Sequence, residues 1–182
     1  MYGLACARHH YGRVIRDYRV AEIGSLRNSG FVRQLLLGAR QGFQRIGVMH
    51  GEAWSLIELA VIAAGSGLPS QALALCEEAA ALFASYDNRR GEDWARFLRC
   101  TLLPYASTGG AETGRQVALE DFSQLIRAAH PLRDSKLADC MPAFALLLQS
   151  EAELEAGLPA WRPGMIPSRR PREVKGAAVT DP

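Results

Sequence analysis

Apolar residues along most of the chain recur with helical rather than strand spacing. Over residues 52–64, Ala53, Leu56, Ile57, Ala60, Ala63 and Ala64 are separated by steps that place them on one face of an α-helix. The stretch 70–83 does the same with Ala72, Leu75, Cys76, Ala79, Leu82 and Phe83, while Gln71, Glu77 and Glu78 fall on other faces. Between the two lie Gly65, Ser66, Gly67, Leu68 and Pro69, which supply Gly to end one helix and Pro near the start of the next. An antiparallel hairpin is expected.

The same reading extends in both directions. Ala7, Tyr11, Val14, Ile15 and Tyr18 mark the stripe of a long first helix, and Val32, Leu35, Leu36, Ala39, Phe43 and Ile46 mark its partner after Asn28, Ser29 and Gly30. A third hairpin is predicted from 94–103 and 117–129, joined by a Gly- and Thr-rich loop over 104–114 in which Thr113 and Gln116 have capping-box spacing. A seventh helix over 135–156 carries Leu137, Cys140, Met141, Phe144 and Leu148 on one face, a kink at Pro142, and Glu151, Glu153 and Glu155 near its end. From Pro159 onward five prolines with Arg169, Arg170, Arg172 and Lys175 show no apolar period. The expected organisation is a helical domain over 1–158 and a disordered, basic, Pro-rich tail over 159–182.

An internal repeat unifies these elements. Ala39, Phe43, Gly51, Glu52 and Trp54 recur as Ala79, Phe83, Gly91, Glu92 and Trp94, every pair forty residues apart. The first half returns once more, one residue early, as Ala118, Phe122 and Leu125. Small and large residues at i, i+4 and i+7 let one helix approach closely while the large side chain fills the groove beside it.

At these residues the chain resembles the tetratricopeptide repeat family. Leu56, Leu59, Ala60 and Ala63 match the first helix of its pattern, and Ala72, Cys76 and Ala79 match the second. The chain departs from that pattern in having Cys76 in place of the usual aromatic, Ala84 in place of the usual Pro, and a period of forty where the family has thirty-four. The longer period and the string Arg90, Gly91, Glu92, Asp93, Trp94 look like the arrays attached to bacterial signalling ATPases and large transcriptional activators. The resemblance covers roughly residues 31–149. It implies an all-α fold of antiparallel hairpins stacked as a short right-handed solenoid of about seven helices, and a protein-interaction scaffold holding a peptide or partner helix in a concave groove. Helical repeats of this kind specify a fold rather than a partner.

Composition fits that expectation. A chain of 182 residues, 48% of them hydrophobic, is large enough to bury a core without disulfides or a structural metal. Its longest apolar runs are too short to cross a bilayer, and Arg8, His9, His10, Arg13 and Arg16 interrupt the first residues where a secretory signal would be apolar, so a cytoplasmic location without membrane contact is expected. Cys6, Cys76, Cys100 and Cys140 form no C-x-x-C pair and read as small buried side chains. Residues 1–49 carry eight Arg against Asp17 and Glu22, whereas residues 50–161 carry eight Arg and Lys against fifteen Asp and Glu.

Candidate chemistry is sparse. Phosphate-loop, zincin, nucleophile-elbow and dinucleotide-binding motifs are missing, and no cofactor is implied. Cys6 with His9 and His10 has the i, i+3, i+4 spacing of a metal site, but three ligands crowd a single turn. His50 and His130 read as turn residues. The partner-binding candidates are Trp54 and Trp94, which line a concave surface if first helices face inward and otherwise pack in the core, with Asp17, Ile57, Glu58 and Phe97 as their neighbours. The alternative function is nucleic-acid or anionic-partner binding through Arg8, Arg13, Arg16, Arg19, Arg27, Arg33, Arg40 and Arg45, and exposed end hairpins also suit homo-oligomers.

Overall fold

A computed structural model of the protein describes residues 1–23, 29–106 and 111–128. The described residues form six α-helices: α1 (Tyr2–Ile23), α2 (Gly30–Arg45), α3 (Met49–Gly65), α4 (Pro69–Ser85), α5 (Arg89–Ala106) and α6 (Ala111–Ala128). No strand occurs among them, so the described part is all-α. The seventh helix expected over 135–156 and the tail expected over 159–182 lie outside the described residues, as do Cys140 and His130.

Each helix packs on the next along the chain. In addition the backbone of α1 comes close to that of α3, and α3 to α5, whereas α2 and α4 are bridged through the long side chains of Arg40 and Glu78. The core is correspondingly segmented. Ala5, Ala39 and Phe43 join α1 to α2, and Val32, Leu36, Leu59 and Ile62 join α2 to α3. Ala53, Leu56, Ile57, Ala79, Phe83 and Ala95 bind α3, α4 and α5 together. Cys100, Ala118 and Leu125 join α5 to α6. Cys100 sits in the last of these seams and Cys76 in a further one with Ala60, Ala63, Ala72 and Leu102, and burial pushes both thiols up to about 12 and keeps them protonated.

The turns reveal a half-period of twenty. Helices α2, α3 and α4 end at Arg45, Gly65 and Ser85, and each is followed two residues later by a left-handed residue: Gly47 (φ 69°), Gly67 (φ 79°) and Asp87 (φ 56°). The N–H of the next residue then reaches back across the last turn. Val48 donates to the Phe43 carbonyl at 3.0 Å, Leu68 to Ala63 at 2.9 Å and Asn88 to Phe83 at 2.9 Å. The left-handed residues donate to Gln44, Ala64 and Ala84 at 3.2, 3.0 and 3.1 Å. This paired pattern satisfies the orphan carbonyls of a helix C-terminus. After Asp87, Asn88 caps the next helix by accepting from the Gly91 N–H at 3.0 Å.

The Ala, Phe and Gly members of the forty-residue repeat meet at the elbow between hairpins, whereas Trp94 rests on the seam with α6. Ala39 and Ala79 are fully buried, and Phe43 and Phe83 press their rings on the backbone of Gly51 and Gly91. A Cβ at position 51 would come within 2.5 Å of the Phe43 ring, and one at 91 would overlap the Phe83 ring. Glu52 and Glu92 stand in the first turn of their helices, where a carboxylate suits the helix dipole. Glu52 also faces Arg40 at 3.8 Å, and Glu92 pairs with Arg96 at 2.5 Å. Trp54 meets Phe83 edge to face, with ring centres 5.2 Å apart.

Three local expectations are corrected. The stripe of α1 does not face the core as a whole: Tyr11, Val14 and Tyr18 are exposed, Ile15 is half-buried, and the buried positions are Ala5, His9 and Gly12. Gly12 and Ala5 win the interior because α2 approaches closely there, with the Leu36 side chain 3.0 Å from where a Cβ of Gly12 would stand. The third loop is shorter than expected, since α5 continues through Pro104 to Ala106 and places the proline in its last turn. Thr113 and Gln116 lie inside α6, which begins at Ala111, so they form no capping box at its start.

Replacing Gly91 with Ala should therefore cost about 1–3 kcal/mol, the usual penalty for overpacking a closed contact. A urea melt reads the loss; an unchanged midpoint would mean that the Phe83 ring can leave its seat freely.

Candidate functional site

The residues expected to bind a partner are divided among three settings. Trp54 is half-buried and Ile57 is buried, both within the seam that joins α3, α4 and α5. Trp94 and Phe97 are half-buried one turn apart on α5, meeting at 90° with ring centres 5.8 Å apart, and both rest on the seam with α6. Asp17 and Glu58 lie at the contact between α1 and α3.

That last contact is polar. Glu58 is only 6% exposed, yet Arg13 reaches it from α1 at 3.2 Å and Arg16 forms a second ion pair with it. Arg16 also grips the exposed Asp17 at 2.6 Å, so Asp17 and Glu58 are linked through one guanidinium. A buried carboxylate requires such partners, because leaving it unpaired in a low dielectric is costly. Arg40 is committed as well, to Glu52 and, by a shorter ion pair, to Glu78 on α4. Arg99 on α5 pairs with Asp121 on α6 and, at 3.4 Å, with Glu77 on α4.

A second polar contact beside the first was not anticipated. His9 is buried and its Nδ1 lies 3.1 Å from the Ser55 hydroxyl. Ser55 donates its own proton to the Gly51 carbonyl at 2.8 Å, so His9 is the donor from Nδ1 and Ser55 the acceptor. Burial, reinforced by the charges of His10, Arg13 and Arg16, lowers the pKa of His9 to about 4. The imidazole is neutral at pH 7. Local spacing gives no sign of this bond, since the partner in α1 is forty-six residues away.

The Cys6, His9 and His10 group does not converge on one point. Cys6 is half-buried against the Phe43 seam, His9 is directed to Ser55, and His10 is exposed. Among the described residues no group of three or more His, Cys, Asp or Glu side chains is placed to hold a metal ion. No helix there is long and apolar enough to cross a membrane. His50 is exposed at the start of α3, near Trp54 and Tyr86. One shallow cleft of about 360 Å³ opens between α1 and α2, lined by Arg8, Phe31, Gln34, Leu35, Gly38 and Gln41.

The chain matches no family model, no curated protein and no solved structure. Its geometry is thus the basis for any functional reading.

The His9 bond predicts a pH dependence. An unfolded chain takes up a proton at this residue near pH 6.5, whereas the folded chain resists until about pH 4. Stability is therefore lost as pH falls from about 6.5 toward 4, by up to about 3 kcal/mol from this group. In urea melts, H9Q should flatten that part of the profile relative to the parent chain; parallel profiles would show that His9 charges without cost.

Proposed function

We propose that the protein is a helical-repeat interaction module: a short right-handed solenoid of tetratricopeptide-like hairpins that holds a peptide or partner helix in a concave groove. What carries this reading is the close backbone approach of α1 to α3 and of α3 to α5, whereas α2 and α4 stand further apart and are bridged by the ion pair of Arg40 with Glu78. In a curved stack, helices that touch their counterparts lie on the inner side and those held apart lie on the outer side. The odd helices then build the groove. Asp17 offers a carboxylate on it, and the half-buried Trp54, Trp94 and Phe97 offer aromatic surface already held in place by packing. Ile57 and Glu58 support the wall from beneath, through the α3 seam and the Arg13 and Arg16 ion pairs. A bacterial regulatory or signalling system in the cytoplasm is the setting that fits the resemblance.

The rival reading, an anionic partner on the Arg-rich first hairpin, loses part of its basis in the ion pairs. Arg13, Arg16 and Arg40 are engaged by Glu58, Asp17, Glu52 and Glu78, which reduces the net positive field that a polyanion would meet.

The test is capture from native lysate at low and high salt, followed by titration of the identified partner with purified components. A protein retained at high salt is expected, and the double variant W94L/F97L, which keeps the seam apolar, should bind it at least about tenfold more weakly. Recovery of nucleic acid alone, lost steeply with salt, would overturn the proposal.

A further inference from the structure

Helix α1 exposes a continuous apolar stripe. Leu4, Ala7, Tyr11, Val14 and Tyr18 follow one another at alternating steps of three and four, the spacing with which one helix receives another. Leu4 is 57% exposed, Tyr11 55%, Val14 63% and Tyr18 63%. Phe31 of α2 extends the patch, 59% exposed and edge-on to Tyr11 at 6.4 Å. Side chains of this size gathered on one side of a helix mark a docking surface rather than a solvated face.

The array itself indicates what fits there. Ala5 packs with Ala39 and Phe43 as Ala53 packs with Ala79 and Phe83, and Gly12 meets Leu36 where Ala60 meets Cys76. Both comparisons superpose α1 on α3 with one offset, 53 − 5 = 48 and 60 − 12 = 48. In that register Ala7, Tyr11 and Val14 correspond to Ser55, Leu59 and Ile62. Those three α3 residues are buried, and Leu59 and Ile62 pack on Val32 and Leu36 of α2. The stripe of α1 is therefore the face on which α3 accepts a helix. It is a different face from the one that meets α3, so this inference and the concave-groove reading fail independently.

Charge narrows the occupant. Arg8 stands beside the stripe and lines the cleft toward α2 with Phe31, Gln34 and Gly38, and Arg33 is exposed on the same hairpin. Arg13, Arg16 and Arg40 are engaged by carboxylates elsewhere, so the positive charge beside the stripe rests on Arg8 and Arg33. A second copy would bring one Arg-rich hairpin against another, which like charges oppose. The geometry points to an amphipathic helix with acidic flanks, belonging to another polypeptide, that lies along α1 as α2 lies along α3.

The probe is a synthetic peptide helix with Val, Leu, Ala and Phe at the spacing of Val32, Leu36, Ala39 and Phe43 and Glu at most other positions, titrated into the full chain by fluorescence anisotropy. Saturable binding is expected, weakened at least about tenfold when Lys replaces Glu in the peptide and again by V14E or Y11E in the protein. Both replaced side chains face solvent, so the thermal midpoint of each variant should stay with that of the parent. Absence of binding, equal binding of the Lys peptide, or indifference to both variants would overturn the proposal. So would sedimentation showing a dimer of the chain that V14E dissociates, because a second copy would then be the occupant.

Discussion

A phenylalanine ring lying on a glycine backbone is the contact on which the rest of the fold depends. Phe43 on Gly51 and Phe83 on Gly91 each occupy the elbow where one hairpin ends and the next begins. The same phenylalanine accepts, through its carbonyl, the N–H that closes the turn, from Val48 in one copy and Asn88 in the other. Side chain and backbone of one residue thus fix both the approach distance and the end of the helix. The glycine belongs to the first turn of the next helix, so its missing Cβ sets how closely α3 comes to α2 and α5 to α4. Contacts beyond the elbow follow from that approach. Trp54 can rest on Phe83, and Ala95 can enter the seam with Ile57, only because the backbones are already close.

Because the elbow is built from the repeated residues, this part of the fold was legible in the sequence. The apolar spacing predicts helices over 52–64 and 70–83, and α3 and α4 occupy Met49–Gly65 and Pro69–Ser85. The half-period of twenty was hidden, since its marker is a left-handed conformation that Gly fills at 47 and 67 but Asp fills at 87. Pro104 misled for the opposite reason. Proline usually marks a break, but in a last turn it removes only one backbone bond, and α5 runs on to Ala106.

The candidate site was legible residue by residue but not as an arrangement. Periodicity placed Trp54, Trp94 and Phe97 on first helices, yet it does not encode which seam each enters. The link between Asp17 and Glu58 depends on Arg16, and the link between His9 and Ser55 joins positions forty-six residues apart, so neither follows from local spacing. Together these polar contacts fasten α1 to α3. A buried ion pair of this kind contributes little net stability once desolvation is counted, but removing one partner is costly. Its chief effect is to set register, because Arg13 and Arg16 meet Glu58 only when α1 sits at one height on α3.

Helix α1 is consequently inverted relative to an ordinary surface helix. Its inward side is Ala5, His9, Gly12 and the Arg16 guanidinium, small or polar, while its outward side is Leu4, Tyr11, Val14 and Tyr18. In α3 the inward polar group, Ser55, and the aliphatic Leu59 and Ile62 are all covered, so apolarity on that face costs nothing. On α1 the corresponding side chains keep apolar area in water, at about 25 cal/mol for each Å² that a partner would remove. Solvent contact alone gives no reason for large apolar side chains at all four positions when the two arginines beside them are drawn inward to Glu58. The pattern becomes consistent once α1 is read as a helix with two packing faces: a polar one that fixes its height on α3 and an apolar one shaped to receive a further helix.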